Sequence, residues 1–258
     1  MEISIERLVR GFRRRFRKTI PHRNRYLRQI SGKRGLEIGG PSPILEPGGP
    51  LPLYEAVGSL DNCNFTRSTV WSEHGDDFQF AAGKPAGKTY ICDGSDLAPV
   101  ADDRYDFVLS VHNLEHFANP LKALYEWKRV LHPKGTLILV LPEYRYTFDH
   151  RRKPTAIDHI FEDFHRNVGE DDLTHLDEIL NNHDLSRDPG SQSAEGFRAR
   201  SLDNISNRCL HHHVFDQRNS RELLERAGFV VHSVDTAFPF HMSLLATVAP
   251  TAPVQAAI

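Results

Sequence analysis

Residues 34–43 read Arg-Gly-Leu-Glu-Ile-Gly-Gly-Pro-Ser-Pro, a short apolar strand that carries an acid near its end and runs into a Gly-Pro turn. Residues 107–111 and 136–141 are further apolar runs. Runs that are continuous rather than alternating belong to strands buried on both faces, which means a mostly parallel sheet covered by helices. Ligands of such sheets bind beyond the carboxyl ends of the strands, where glycine lets the backbone come close. Gly39, Gly40 and Pro41 are therefore candidate binding residues, and Glu37 is expected to face the ligand. No third glycine follows three residues after Gly40, so a dinucleotide pyrophosphate fits poorly. An acid before the turn suits a cationic, phosphate-free nucleoside instead.

The 258 residues, 39 % of them apolar, are enough for one large domain with decorations. Cys63, Cys92 and Cys209 form no CxxC pair, which argues against a disulfide framework or a thiolate zinc site and favours a cytoplasmic location. No apolar run approaches the roughly 18 residues of a membrane span, and no signal-peptide core is present, so secretion is not expected. The net charge of −2 hides an asymmetry: residues 1–34 carry twelve Lys/Arg against two acids. Ile5, Leu8, Val9, Phe12 and Phe16 fall at helical spacing among these bases, which predicts a basic amphipathic extension over residues 1–30. Such a helix packs on the domain or lies on an anionic membrane surface through residues 1–20. No nucleic-acid-binding motif accompanies it, and nucleic acid is not an expected partner.

After the turn, Pro41, Pro43, Pro47, Pro50 and Pro52 exclude the helix that ordinarily follows a first strand. Residues 53–60 read as the second strand, ending at Asp61, a position suited to accept from both hydroxyls of a ribose. Asp93 and Gly94 follow a third strand over residues 89–92 and are candidates for reading an adenine amino group. The strand over 107–111 leads into His112-Asn113-Leu114-Glu115-His116. Asn119 as N-cap and Pro120 at the first position then open a helix that stops at residues 132–135.

Four stretches in order resemble the successive motifs of class I S-adenosylmethionine-dependent methyltransferases: Leu36-Glu37-Ile38-Gly39-Gly40, residues 105–110, residues 113–120 and residues 129–135. Residues 220–231 and 243–248 look like the family's last helix and strands. The resemblance implies an α/β, Rossmann-like, doubly wound sheet of seven strands with an antiparallel last strand, spanning residues 31–258, and S-adenosylmethionine as cofactor. It places Glu37, Gly39, Gly40, Pro41, Asp61, Asp93, Gly94 and His112 around that cofactor. Gly40-Pro41-Ser42-Pro43 departs from the family's usual Gly-X-Gly.

Residues 143–216 form an insertion where such enzymes keep substrate recognition, and its polar part over 168–207 reads as a mobile lid. Tyr144, Arg151, His211 and His213 are candidate substrate contacts. His150 or His116 is a candidate general base, with Asp149 beside it, because an imidazole near its ordinary pKa of about 6.5 accepts a hydroxyl proton at neutral pH. His159 and Asp163, four apart, share one helix face. His112-X-X-Glu115-His116 also resembles a divalent-metal element of certain O-methyltransferases, which makes these three candidate ligands. The expected function is methyl transfer, most simply to a hydroxyl of a small molecule, sugar or glycoconjugate. A nicotinamide oxidoreductase or a catalytically silent nucleoside-binding domain are the alternatives.

Overall fold

The computed structural model describes residues 19–71, 73–190 and 193–250. Its strands are β1 (Arg34–Ile38), β2 (Ser59–Asn64), β3 (Asp77–Phe78), β4 (Gly87–Ile91), β5 (Tyr105–Val111), β6 (Leu131–Pro142), β7 (Phe229–Ala237) and β8 (His241–Val248). They form one sheet in the order β3-β4-β2-β1-β5-β6-β8-β7. The pairs β4/β2, β2/β1, β1/β5 and β5/β6 are parallel, whereas β8 runs antiparallel to both β6 and β7. The sheet thus has eight strands rather than the expected seven, because two residues, Asp77 and Phe78, add a short antiparallel edge to β4.

Side-chain alternation sends successive residues of the central strands to opposite faces. Leu36, Val108, Leu137, Leu139 and Leu141 enter one apolar cluster with Leu121, Leu124 and Trp127 of helix α2 (Pro120–Val130) and with Leu223 and Leu224 of the last helix (Gln217–Arg226). Phe107, Leu109, Ile138 and Val140 enter a second cluster on the other face, with Tyr26 and Ile30 of helix α1 (Arg23–Ile30) and with Leu45, Leu51, Leu53 and Tyr54. The basic extension expected over residues 1–30 is described only in its last part, α1. Its apolar stripe from Ile5 to Phe16, and the membrane contact assigned to residues 1–20, lie outside the described residues. Among the described residues no helix is long and apolar enough to cross a membrane.

The proline-rich stretch after β1 indeed forms no α-helix; two short 3-10 turns, Pro43–Leu45 and Tyr54–Ala56, fill the space. The second strand consequently starts at Ser59, not near residue 53, and ends at Asn64. Helix α2 has the expected start, with the Asn119 side chain accepting from the Lys122 amide at 3.1 Å. The insertion holds more helix than expected: α3 (Ile157–His165), α4 (Leu176–Asn182), α5 (Ala194–Leu202) and α6 (Asn204–Asn207). Ile179, Phe197 and Leu210 give it a small core of its own, and Asp188 joins His183 (3.0 Å) to Arg200 (2.7 Å).

Trp127 ties α2 to the binding end of the sheet, since its fully buried indole donates Nε1–H to the Gly94 carbonyl at 2.9 Å. Trp127→Phe is expected to leave that carbonyl unpaired and to lower stability by about 1–3 kcal/mol, read as a lower urea midpoint. An unchanged midpoint would mean that Gly94 finds another donor.

Candidate active site

A cavity of 640 Å³ opens beyond the carboxyl ends of β1, β2, β5 and β6, large enough for a nucleoside and an acceptor together. The end beside the turn after β1, the candidate nucleoside end, is walled by Ile38, Gly39, Pro41, Asn64, Asp93, Gly94 and Asn113. Gly39 sits at φ +82°, a left-handed conformation that favours glycine, and a Cβ there would stand 3.2 Å from the Asn113 amide carbon. A Cβ on Gly94 would meet Ile38 and Phe117 at 2.9 Å. Backbone bare of side chains therefore lines this end from two strands. Asp93 is already engaged: one oxygen accepts from the amide and hydroxyl of Ser95 (both 2.8 Å), and the other pairs with Arg208 at 3.2 Å.

Glu37 does not face the cavity. It is fully buried beneath the turn, where its carboxyl accepts from the Ser42 hydroxyl (2.6 Å) and the Tyr54 hydroxyl (2.7 Å). Burial outweighs these donors and pushes its pKa up to about 7. Its carboxyl also occupies the space a Cβ on Gly40 would need, so Gly40 serves the turn rather than the cavity wall. Asp61 is a plain correction. It is the third residue of β2, about 10 Å of strand short of the carboxyl end, and it pairs with Arg34 (2.9 Å), the Tyr105 hydroxyl (2.7 Å) and the Lys88 amide (2.9 Å). The residue at the end of β2 is Asn64, whose Nδ2 donates to the Gly40 carbonyl at 3.4 Å.

The other end of the cavity gathers His112, Glu115, His116, Phe148 and His211. His112 has φ +47°, unusual for a residue with a side chain, and its Nε2 meets His241 Nδ1 at 2.8 Å. Burial, then the neighbouring imidazole of His241, push its pKa down to about 3, so it is neutral. Glu115 is buried, burial raises its pKa to about 7, and its Oε2 has no hydrogen-bond partner. His116 Nδ1 hydrogen-bonds the Leu210 carbonyl at 3.1 Å, and its ring packs edge-on to His211 with centroids 4.5 Å apart.

His211 has the most defined polarity. Its Nδ1 lies 2.5 Å from Asp149 Oδ2. Burial alone would raise Asp149, but His211 and then Arg152 (3.1 Å) outweigh it and hold the carboxylate at about 2. Burial likewise works against a charged His211, yet the Asp149 carboxylate more than offsets it and raises the imidazole above its ordinary value. An ionised carboxylate can only accept, so Nδ1 carries a proton, and Nε2 is the nitrogen with the lone pair whenever the ring is neutral. Asp149 stands behind His211 and outside the cavity wall.

The remaining expectations are corrected by geometry. His150 Nε2 is held by Asp184 at 2.9 Å, Arg151 by the same carboxylate at 3.5 Å, and neither lines the cavity. Tyr144 does not line it either, whereas Tyr146 does. Residues 208–216 are irregular rather than a strand, so His211 and His213 do not share a face, and His213 lies outside the cavity wall. His112, Glu115 and His116 do not converge as ligands, because His112 is turned to His241; among the described residues it is Glu115, His116 and His211 that bring potential ligand atoms within 4.8 Å of one another. The reading of the sequence missed Asn64, Asn113, Phe148, Arg208 and Glu170. Arg208, at φ +54°, also pairs with Glu170 (3.1 Å) and so links the end of β4 to the insertion. No local pattern marks these residues.

With this geometry in hand, comparison with known proteins is direct. Residues 71–139 match the family model described as a methyltransferase domain. That stretch, which runs from just before β3 into β6, is similar to a methyltransferase domain. The fold of the chain is similar to an S-adenosylmethionine-dependent methyltransferase from Mesorhizobium loti, at 15 % identity and TM-score 0.50 over 88 % of this chain and 96 % of that one. A methyltransferase from Aquifex aeolicus gives 14 % and 0.48 over 88 % and 90 %. The Burkholderia thailandensis 1,6-didemethyltoxoflavin-N1-methyltransferase, with bound S-adenosylhomocysteine, gives 12 % and 0.45 over 88 % and 74 %. No curated protein sequence matches the chain.

Two outcomes follow from this geometry. Asn64→Leu is expected to weaken S-adenosylhomocysteine binding by about 1–2 kcal/mol, while Asp61→Ala lowers the urea midpoint and leaves the calorimetric affinity unchanged; loss of affinity with Asp61→Ala would return that residue to the site. Glu37 predicts a pH effect on stability. Its proton is kept to about pH 7 in the folded chain but is released near 4.5 when unfolded, so stability falls as pH rises from about 4.5 to 7 and levels above that. The loss amounts to about 3 kcal/mol at most, and Glu37→Gln should flatten that part of the urea-midpoint profile.

Proposed function

We propose that this chain transfers a methyl group from S-adenosylmethionine to a hydroxyl of a small molecule, sugar or glycoconjugate. The observation that carries the reading is His211 in the wall of the cavity, oriented from behind by Asp149 and close to Glu115, whose buried Oε2 has no hydrogen-bond partner. The end beside Gly39 and Gly94 fits the cofactor: two glycines line it, and Asn64 and Asn113 offer amides. When bound, S-adenosylmethionine supplies an electrophilic methyl on a sulfonium. The protein's task is then to align the acceptor and take up its proton. Asp149 fixes the tautomer and the orientation of His211, His211 Nε2 accepts the hydroxyl proton, and Glu115 Oε2 offers the acceptor a second anchoring point. Phe148, Tyr146, Phe240 and Trp71 give the surrounding wall aromatic surface for an acceptor to pack on.

His211→Asn is expected to reduce turnover by about 10²-fold or more without weakening S-adenosylhomocysteine binding. Release of S-adenosylhomocysteine across a panel of glycosides, nucleotide sugars and small alcohols reads the first quantity, and calorimetry the second. Wild-type turnover in His211→Asn, or activity confined to amines, would rule out the hydroxyl mechanism.

A further inference from the structure

Away from the cavity, four side chains from three separate segments of the insertion and its return point at one another. His159 and Asp163 lie one turn apart on α3, His175 caps α4, and His213 sits on the irregular return to the sheet. One ligand atom from each falls within 4.8 Å of the other three. His159 Nε2 is 3.0 Å from His175 Nε2 and 3.3 Å from Asp163 Oδ2, which is in turn 3.7 Å from His213 Nε2. Two imidazole nitrogens facing each other have at most one proton to share usefully. Asp163 Oδ2 is buried without a hydrogen-bond partner, and so is His213 Nδ1, while His213 Nε2 hydrogen-bonds the Ala118 carbonyl at 3.2 Å. A buried carboxylate oxygen left unpaired costs free energy, and three imidazoles do not by themselves repay it.

A zinc ion would give Asp163 Oδ2 and the facing nitrogens of His159 and His175 a common partner, and would take His213 Nε2 in exchange for the Ala118 carbonyl. Ligands about 2.0–2.1 Å from a tetrahedral zinc stand about 3.3 Å from one another, close to the separations found. We propose that His159, Asp163, His175 and His213 form a divalent transition-metal site, of the zinc class, that clamps the insertion to the domain. Imidazole donors favour zinc over magnesium or calcium, and four protein ligands leave no open position, as in structural rather than catalytic sites. Asp172 and Glu178 act on the cluster from nearby and add negative charge, and Arg152 on its other side is paired with Asp149 (3.1 Å) and Glu178 (3.4 Å). The bound ion would fix His213, two residues from His211, and so hold the return segment in place.

The test uses the full-length chain. Purified from zinc-supplemented medium and dialysed against metal-free buffer, it is expected to retain about one zinc per chain, measured by plasma mass spectrometry. After chelation, added cobalt should give the visible bands of a four-coordinate ion, and its thermal midpoint, lowered by the chelator, should recover. His159→Ala/His175→Ala should abolish retention and the cobalt spectrum, and the isosteric Asp163→Asn, which keeps the fold, should weaken cobalt binding more than about 10-fold. Glu115→Gln should leave retention intact. Absence of retained zinc together with no cobalt spectrum overturns the proposal, as does metal that survives the double substitution and disappears with Glu115→Gln.

Discussion

The binding end of this domain depends on one buried carboxyl. Glu37 has neither solvent nor a cation against it, and it is kept only by the hydroxyls of Ser42 and Tyr54. That three-part contact does the work a helix does in other folds of this kind. With five prolines between residues 41 and 52, the chain after β1 has no α-helix to cover the sheet, and the loop must be fastened some other way. Tyr54 reaches back from the far side of the loop, accepting from the Ser42 amide at 2.6 Å while it donates to Glu37. The left-handed Gly39 and the bare wall of the cavity follow from where that fastening pulls the chain.

The same economy appears on the acceptor side. His211 is irregular backbone's contribution, and Asp149, 62 residues earlier, supplies its orientation. Arg152 supports both, pairing with the carboxylate and accepting no solvent: it donates to the carbonyls of His211 (2.7 Å) and His212 (3.2 Å). A segment without regular hydrogen bonds is thereby held by one guanidinium, which satisfies backbone acceptors that would otherwise be buried unpaired.

How much of this is legible in the sequence differs by element. Strands β5 and β6 and helix α2 are, because continuous apolar runs and an Asn-Pro start are local signals that tertiary packing reinforces. The end of β2 is not. Pro50 and Pro52 stop the apolar stretch at residues 53–57 from pairing, a 3-10 turn takes its place, and the strand shifts towards Asn64, which leaves Asp61 mid-strand. Helix α3 of the insertion is legible by its helical spacing, but α5 has no apolar repeat and is tied in by ion pairs such as Asp188 with Arg200, which hydrophobic periodicity does not report. The partners of the histidines are the least legible. Asp149 and His150 are neighbours in the chain, yet one turns to His211 and the other's ring to Asp184, and only the fold decides which.

Arg208 carries a consequence of its own. It is a residue in a left-handed conformation whose two nitrogens bridge Asp93, at the nucleoside end, and Glu170, in the insertion. Because one guanidinium serves both walls, any ligand that draws Asp93 away alters the hold on the insertion, and any ligand that re-partners Glu170 alters the nucleoside end. Thermodynamic linkage makes that influence equal in both directions. The two halves of the cavity are therefore joined through one side chain rather than walled off as independent compartments.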